Sequence, residues 1–141
     1  MSTEDEVRNA SERFYAALNN MANGDSGPLA AIWSHSPAVT IMHPRGGREI
    51  GWEAVRASLE QIAHLSSEGT VGLKDQFIRV AGEVAYELGV EHGHLTLAGN
   101  HVAFEHRVTN IYERQAEAWK VFHHHADTSP TLIDAVSRLK K

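Results

Sequence analysis

The sequence predicts an α+β domain, helices first and an antiparallel sheet after them, on three observations. Val7, Ala10, Phe14, Leu18 and Met21 recur at three- and four-residue steps and make one apolar stripe of a helix. After Gly69 the texture changes to runs rich in aromatic and β-branched residues, separated by short turn signals. The chain has 141 residues, 42% of them hydrophobic, which suits one domain over 1–141 with a core that needs no disulfide or structural metal.

Taken in order, Thr3 followed by Glu6 reads as a capping box that starts the first helix. Asn23-Gly24-Asp25 ends it, and Ser26-Gly27-Pro28 opens a short second helix carrying Leu29, Ile32 and Trp33. Val39 to His43 alternates as a strand and stops at Pro44-Arg45-Gly46-Gly47. A third helix begins near Trp52, with Val55, Leu59 and Ile62 on one face. The runs Phe77 to Val80, Val84 to Val90, His101 to Tyr112 and Trp119 to Ala126 then form a meander of about four strands. Helices segregated from strands pack on one face of a bent sheet.

Side chains on a strand alternate between faces. In the last strand this puts Trp119, Val121, His123 and His125 together, with Lys120, Phe122 and His124 opposite. A two-residue turn at Gly99-Asn100 sets Ala98 against His101, His92 against Arg107 and His94 against Glu105. Arg107, Thr109 and Ile111 then share a face with Tyr86, Leu88 and Val90. With Trp119 and Val121 that face is the more apolar, so the helices are expected to cover it, leaving a pocket with convergent polar groups. The face with Phe104, Val108, Tyr112 and Phe122 is expected to be covered by a second copy, as one exposed apolar patch is unfavourable.

Composition excludes several functions. There are no cysteines, so disulfide frameworks, cysteine metal sites and thiol catalysis are ruled out. The formal charge is −5 and the basic residues are scattered, with Lys140-Lys141 the only terminal pair, which disfavours nucleic acid. No apolar run nears the roughly 20 residues of a membrane span, and the acidic start is unlike a signal peptide; a cytoplasmic protein is expected. The ten histidines are the unusual number, as each is a candidate acid–base group or metal ligand.

The segment Arg13 to Leu18, then Trp33, then His43-Pro44-Arg45-Gly46-Gly47 with Gly51, resembles the SnoaL-like branch of the nuclear transport factor 2-like superfamily. The ending Arg107 to Tyr112, followed by Trp119 to Asp127, carries the resemblance furthest, which covers roughly residues 5–130. It implies a cone of three amino-terminal helices on a strongly curved antiparallel sheet, an internal pocket and a homodimer joined through the sheets. The superfamily includes isomerases, cyclases, dehydratases and members without chemistry, so fold alone does not assign function. In the steroid isomerases of this fold a tyrosine and a protonated aspartate face an aspartate base. Here those positions fall on Phe14, Val108 and His43, which argues against steroid isomerisation.

The candidate catalytic residues are His43, His123 and His125. His43 serves as a pocket base or, alternatively, as a structural histidine before Pro44. His123 and His125, with Arg107, suit a ligand carboxylate or carbonyl, or else form a polar cluster with Glu105, Tyr86 and Asp127. Trp33, Tyr86, Arg107 and Asp127 are the candidate ligand-binding residues. The pairs His92/His94 and His123/His125 have a spacing that can serve a metal, but such pairs are more often solvated, so no metal and no cofactor is expected. The expected function is acid–base chemistry on a carbonyl-containing or anionic small molecule; the alternative is a ligand-binding or oligomerising module without chemistry.

Overall fold

A computed structural model describes residues 2–139; Met1 and the pair Lys140-Lys141 lie outside the described residues. The first helix, α1 (Thr3–Met21), buries the predicted stripe of Val7, Ala10, Phe14, Leu18 and Met21. Its cap sits one residue earlier than expected. Ser2 accepts from the Asp5 amide and Asp5 answers the Ser2 amide, so the box is Ser2/Asp5 rather than Thr3/Glu6. The short α2 (Gly27–Ile32) follows, with Pro28 in its first turn. Next come β1 (Thr40–Met42), the Pro44–Gly47 turn, β2 (Arg48–Ile50) and α3 (Trp52–Leu65).

The meander is β3 (Ser66–Ala81), β4 (Val84–Leu97), β5 (Asn100–Gln115) and β6 (Ala118–Ala126), closed by α4 (Pro130–Arg138). The strands form one sheet in the order β2-β1-β6-β5-β4-β3. It is mixed rather than purely antiparallel, because β1 runs parallel to β6 with Thr40 beside His123. Neither β2 nor the carboxy-terminal helix is foreseen from the sequence.

The helices do cover one face of the sheet, but it is the other face of β4 and β5. The hairpin turn is Ala98-Gly99, whose φ angles of 48° and 87° are both positive, as a two-residue turn of this hand requires. Leu97 therefore faces Asn100, His92 faces Glu105 and Val90 faces Arg107, a slip of two from the expected register. A slip of two preserves sidedness, so Tyr86, Leu88 and Val90 do share a face with Arg107, Thr109 and Ile111. The inversion comes from a bulge on β6. Ile111 pairs with His123 and Tyr112 with Val121, leaving Phe122 as an extra residue that reverses the alternation.

Trp119 and Val121 thus point under the helices, as expected, but beyond the bulge it is His124 and Ala126 that continue on that face. Val108 and Tyr112, expected at a subunit interface, are instead buried beneath the chain's own helices with Glu87, Glu91, His106 and Asn110. The free face carries Phe77, Tyr86 and Leu88, all exposed.

The sheet bends where β3 breaks register with β4, between Ser67 and Thr70 and again between Lys74 and Phe77. At the first break α1 and the turn that ends it substitute for the missing ladder. Asn23 bonds both backbone groups of Gly69, and Asn19 does the same to Val71. Opposite this break a Cβ on Gly93 would lie 2.0 Å from the Thr70 carbonyl oxygen, so only glycine lets the strands approach. No helix among the described residues is long and apolar enough to cross a membrane. Gly93→Ala should lower the thermal midpoint by roughly 5–10 °C, the consequence of a backbone clash in a packed sheet; differential scanning calorimetry reads this directly.

Candidate functional site

Between the helices and the covered face of the sheet lies a cavity of about 910 Å³. Leu18 and Met21 of α1, Leu59 and Ile62 of α3, and Leu132 and Val136 of α4 give it apolar walls. Its polar lining comes from His43 and Arg45 after β1, Gln61 on α3, Glu91 on β4, His106 on β5 and His124 on β6. The strand residues reach the cavity because a covered strand face must direct alternate residues inward.

Glu91 is the centre of this polar group. One carboxylate oxygen accepts from His106 Nε2 at 2.9 Å, and the other from the Tyr15 hydroxyl at 2.8 Å. Burial opposes its charge, but His124, His106 and Tyr15 outweigh that and hold the carboxyl below its ordinary value. Burial first, and then Glu91, push the Tyr15 hydroxyl far above the usual tyrosine range, so it stays a donor. Asn110 donates to the Tyr15 oxygen at 3.1 Å and to Glu87 at 3.0 Å, which leaves its carbonyl to accept from His124 Nδ1. The Nε2 atom of His124 is then unprotonated and lies 3.7 Å from Glu91, beyond hydrogen-bonding range. Burial lowers the pKa of His124, with Glu91 pulling the other way, and keeps the imidazole neutral near pH 7.

His106 donates through Nε2, and its other ring nitrogen, Nδ1, is buried without a partner. A carboxylate that fixes the tautomer of an imidazole and leaves its second nitrogen free is the arrangement of a general base. His43 presents a second free nitrogen, Nε2, buried and 4.0 Å from the nearest Glu49 oxygen. Burial, reinforced by the charge of Arg45, brings its pKa down to about 4. It is neutral at pH 7. Among the described residues no three His, Asp or Glu side chains are disposed to hold a metal ion.

Of the sequence-predicted residues, His43 and Trp33 line this cavity. Tyr86, Arg107, His123, His125 and Asp127 do not, for the bulge at Phe122 and the inverted β5 face carry them to the free side of the sheet. There Arg107 pairs with Asp127 at 2.6 Å, and His123 Nδ1 meets the Thr40 hydroxyl at 2.6 Å. Arg107, His125 and Asp127 line a separate surface depression with Asp75 and Leu88, and the His125 ring meets that of His123 edge-on at 6.1 Å. Tyr86 sits against Phe77, their ring centres 6.2 Å apart. His92 and His94 lie on the exposed side as well. The residues that sequence reasoning missed are Tyr15, Arg45, Glu91, His106 and His124. One signal was available: Glu87 and Glu91 stand four residues apart, hence on one face, in a strand otherwise rich in apolar residues.

These features define a class: a curved α+β domain whose helices close a mostly apolar cavity over a buried histidine–carboxylate group. A SnoaL-like domain model matches residues 7–130, and the chain belongs to that family. Its fold is similar to that of a candidate dehydratase of the nuclear transport factor 2-like family from Streptomyces avermitilis, at TM-score 0.78 and 24% identity, covering 89% of this chain and 94% of that one. A nuclear transport factor 2-like superfamily protein from Salmonella enterica superposes with TM-score 0.78 at 19% identity, covering 89% of each chain. A candidate ketosteroid isomerase from Shewanella frigidimarina gives TM-score 0.67 at 20% identity, over 84% of this chain and 92% of the other. Among curated proteins none matches the sequence.

The lowered pKa of His43 has a sign that stability measurements check. Between about pH 6.5 and 4 the unfolded histidine binds a proton that the folded one refuses, so stability falls as the pH falls. The full loss amounts to about 3 kcal/mol. Urea unfolding from pH 7 to 4 should show this slope, and His43→Leu should reduce it, leaving the smaller part due to His124.

Proposed function

We propose that the cavity is the site of an enzyme that moves protons on a carbonyl-bearing small molecule, as isomerases and dehydratases do. The observation that carries this reading is the buried, unpartnered Nδ1 of His106, whose tautomer is fixed by Glu91. In this reading His106 Nδ1 removes a proton adjacent to the substrate carbonyl. Glu91 steadies the imidazolium that forms. Neutral His43, also in the cavity lining, supplies a hydrogen bond, and the His106 imidazolium returns the proton. The cavity's volume of about 910 Å³ suits a small organic molecule, and the descriptions of the Streptomyces and Shewanella proteins name chemistry of this type.

Proton abstraction is measurable before any physiological substrate is known. With a panel of ketones and β-hydroxy carbonyl compounds in D₂O, proton NMR should show enzyme-dependent deuterium incorporation or loss of water. His106→Gln should reduce it by about 100-fold or more, the usual worth of a general base, while the thermal midpoint stays close to that of the parent. Exchange no faster than buffer across the panel, or undiminished in His106→Gln, overturns the catalytic reading. The preponderance of apolar lining favours the second reading, a binding module without chemistry, in which apolar ligands bind and no exchange occurs.

We also propose that the chain forms a homodimer through the free face of the sheet. Phe77, Tyr86 and Leu88 are 54%, 38% and 41% exposed and lie on adjoining strands, an apolar patch that a second copy would cover. Sedimentation equilibrium should give twice the 15.5 kDa chain mass, and Leu88→Asp should release monomers. A 15.5 kDa species throughout the micromolar range overturns it.

A further inference from the structure

Glu91, His106 and His124 lie on the sheet strands; the one cation among the described residues of the cavity lining lies elsewhere. Arg45 sits in the Pro44–Gly47 turn and lines the cavity beside His43. Its Nε atom is buried without a hydrogen-bond partner, and no ion pair among the described residues includes it. Arg8, Arg56, Arg107 and Arg138 answer carboxylates, whereas Arg13, Arg48, Arg79 and Arg114, which like Arg45 form no ion pair among the described residues, lie away from the cavity lining. The one acidic side chain in the cavity lining, Glu91, is already engaged by His106 and Tyr15.

A guanidinium on an apolar cavity wall with no protein carboxylate opposite leaves a planar fork of donors for an external anion. Arg45 is half-buried with its Nε turned away from water, so an anion there would meet a guanidinium that no protein carboxylate answers. The turn that presents Arg45 is also held in place. The Ser129 amide donates to the Pro44 carbonyl at 2.7 Å, and the His43 amide to the Gly47 carbonyl at 3.1 Å. From this turn the cavity continues along Leu132, Val136 and Leu139, which are apolar throughout.

We infer that Arg45 is the anion anchor of the cavity, and that its ligands are amphipathic organic acids: a carboxylate-type head on Arg45 and an apolar body along α4. This rests on the reading of the cavity as a small-molecule site and adds the substrate class to it. His43, neutral at pH 7, lends a second polar contact at the head.

Two fluorescent probes that differ only in the head group test it. These are 8-anilinonaphthalene-1-sulfonate, an organic anion, and N-phenyl-1-naphthylamine, the same ring system without the anion. The parent protein should bind the sulfonate about tenfold more tightly, the scale of one charge-assisted contact. Arg45→Met should abolish that preference and leave the neutral probe unaffected, which also reports that the variant is folded. Arg107→Met, on the opposite face of the sheet, should change neither affinity. Equal affinities in the parent, or a preference that survives Arg45→Met, overturns the anchor while the cavity reading stands. Failure of both probes to bind overturns the cavity reading along with it.

Discussion

Two carboxylates buried on one strand organise this molecule. Glu87 and Glu91 are 0% and 4% exposed, four residues apart on β4, beneath the first helix. An uncompensated carboxylate there would cost several kcal/mol, so each must be met by donors. Glu87 is met by Gln76 from β3 at 2.6 Å, Asn110 at 3.0 Å and Tyr112 at 2.8 Å from β5. Glu91 takes Tyr15 from α1 and His106 from β5. The seat of the helix and the register of three strands are therefore set by one group of hydrogen bonds. A slip of β5 by one residue would turn His106, Asn110 and Tyr112 outward together and leave both acids unanswered.

That dependence explains how the sequence was legible in its helices and misleading in its sheet. A helical stripe is read from apolar residues alone, and Val7 to Met21 and Val55 to Leu59 are buried as their spacing dictates. The start of the third helix at Trp52 and the four-stranded meander follow from equally local signals. The covered face of β4 and β5 cannot be found that way, because its centre is polar. Apolar counting chose Tyr86, Leu88 and Ile111, the residues that lie on the free face. Alternation along β6 was sound from Trp119 to Val121 and failed at Phe122, where an inserted residue leaves no mark in composition.

The ten histidines show the same division. His43, His106 and His124 are buried at the cavity, whereas the remainder are exposed or half-buried. The triplet His123-His124-His125 places only its middle member inside, which follows from the bulge immediately before it. His43 was found because a strand ending before Pro44 has a fixed direction. His106 and His124 were missed because each depends on a register that only the buried acids specify.

The cavity is assembled from two sources that differ in how far they can vary. Its polar end is woven into β4, β5 and β6, where each replacement disturbs partners on neighbouring elements. Its apolar end leans on α4, a nine-residue helix beginning at Pro130, where the stretch matched by the family ends. That helix is held at its start by Ser129 and by the Thr131 hydroxyl bonding the Ala103 carbonyl at 2.8 Å. Leu132, Val136 and Leu139 can therefore be exchanged for larger or smaller side chains with little consequence for the hydrogen bonds among Glu91, His106 and Tyr15. The size and shape of the cavity can thus vary on one element while the buried polar group stays fixed on others.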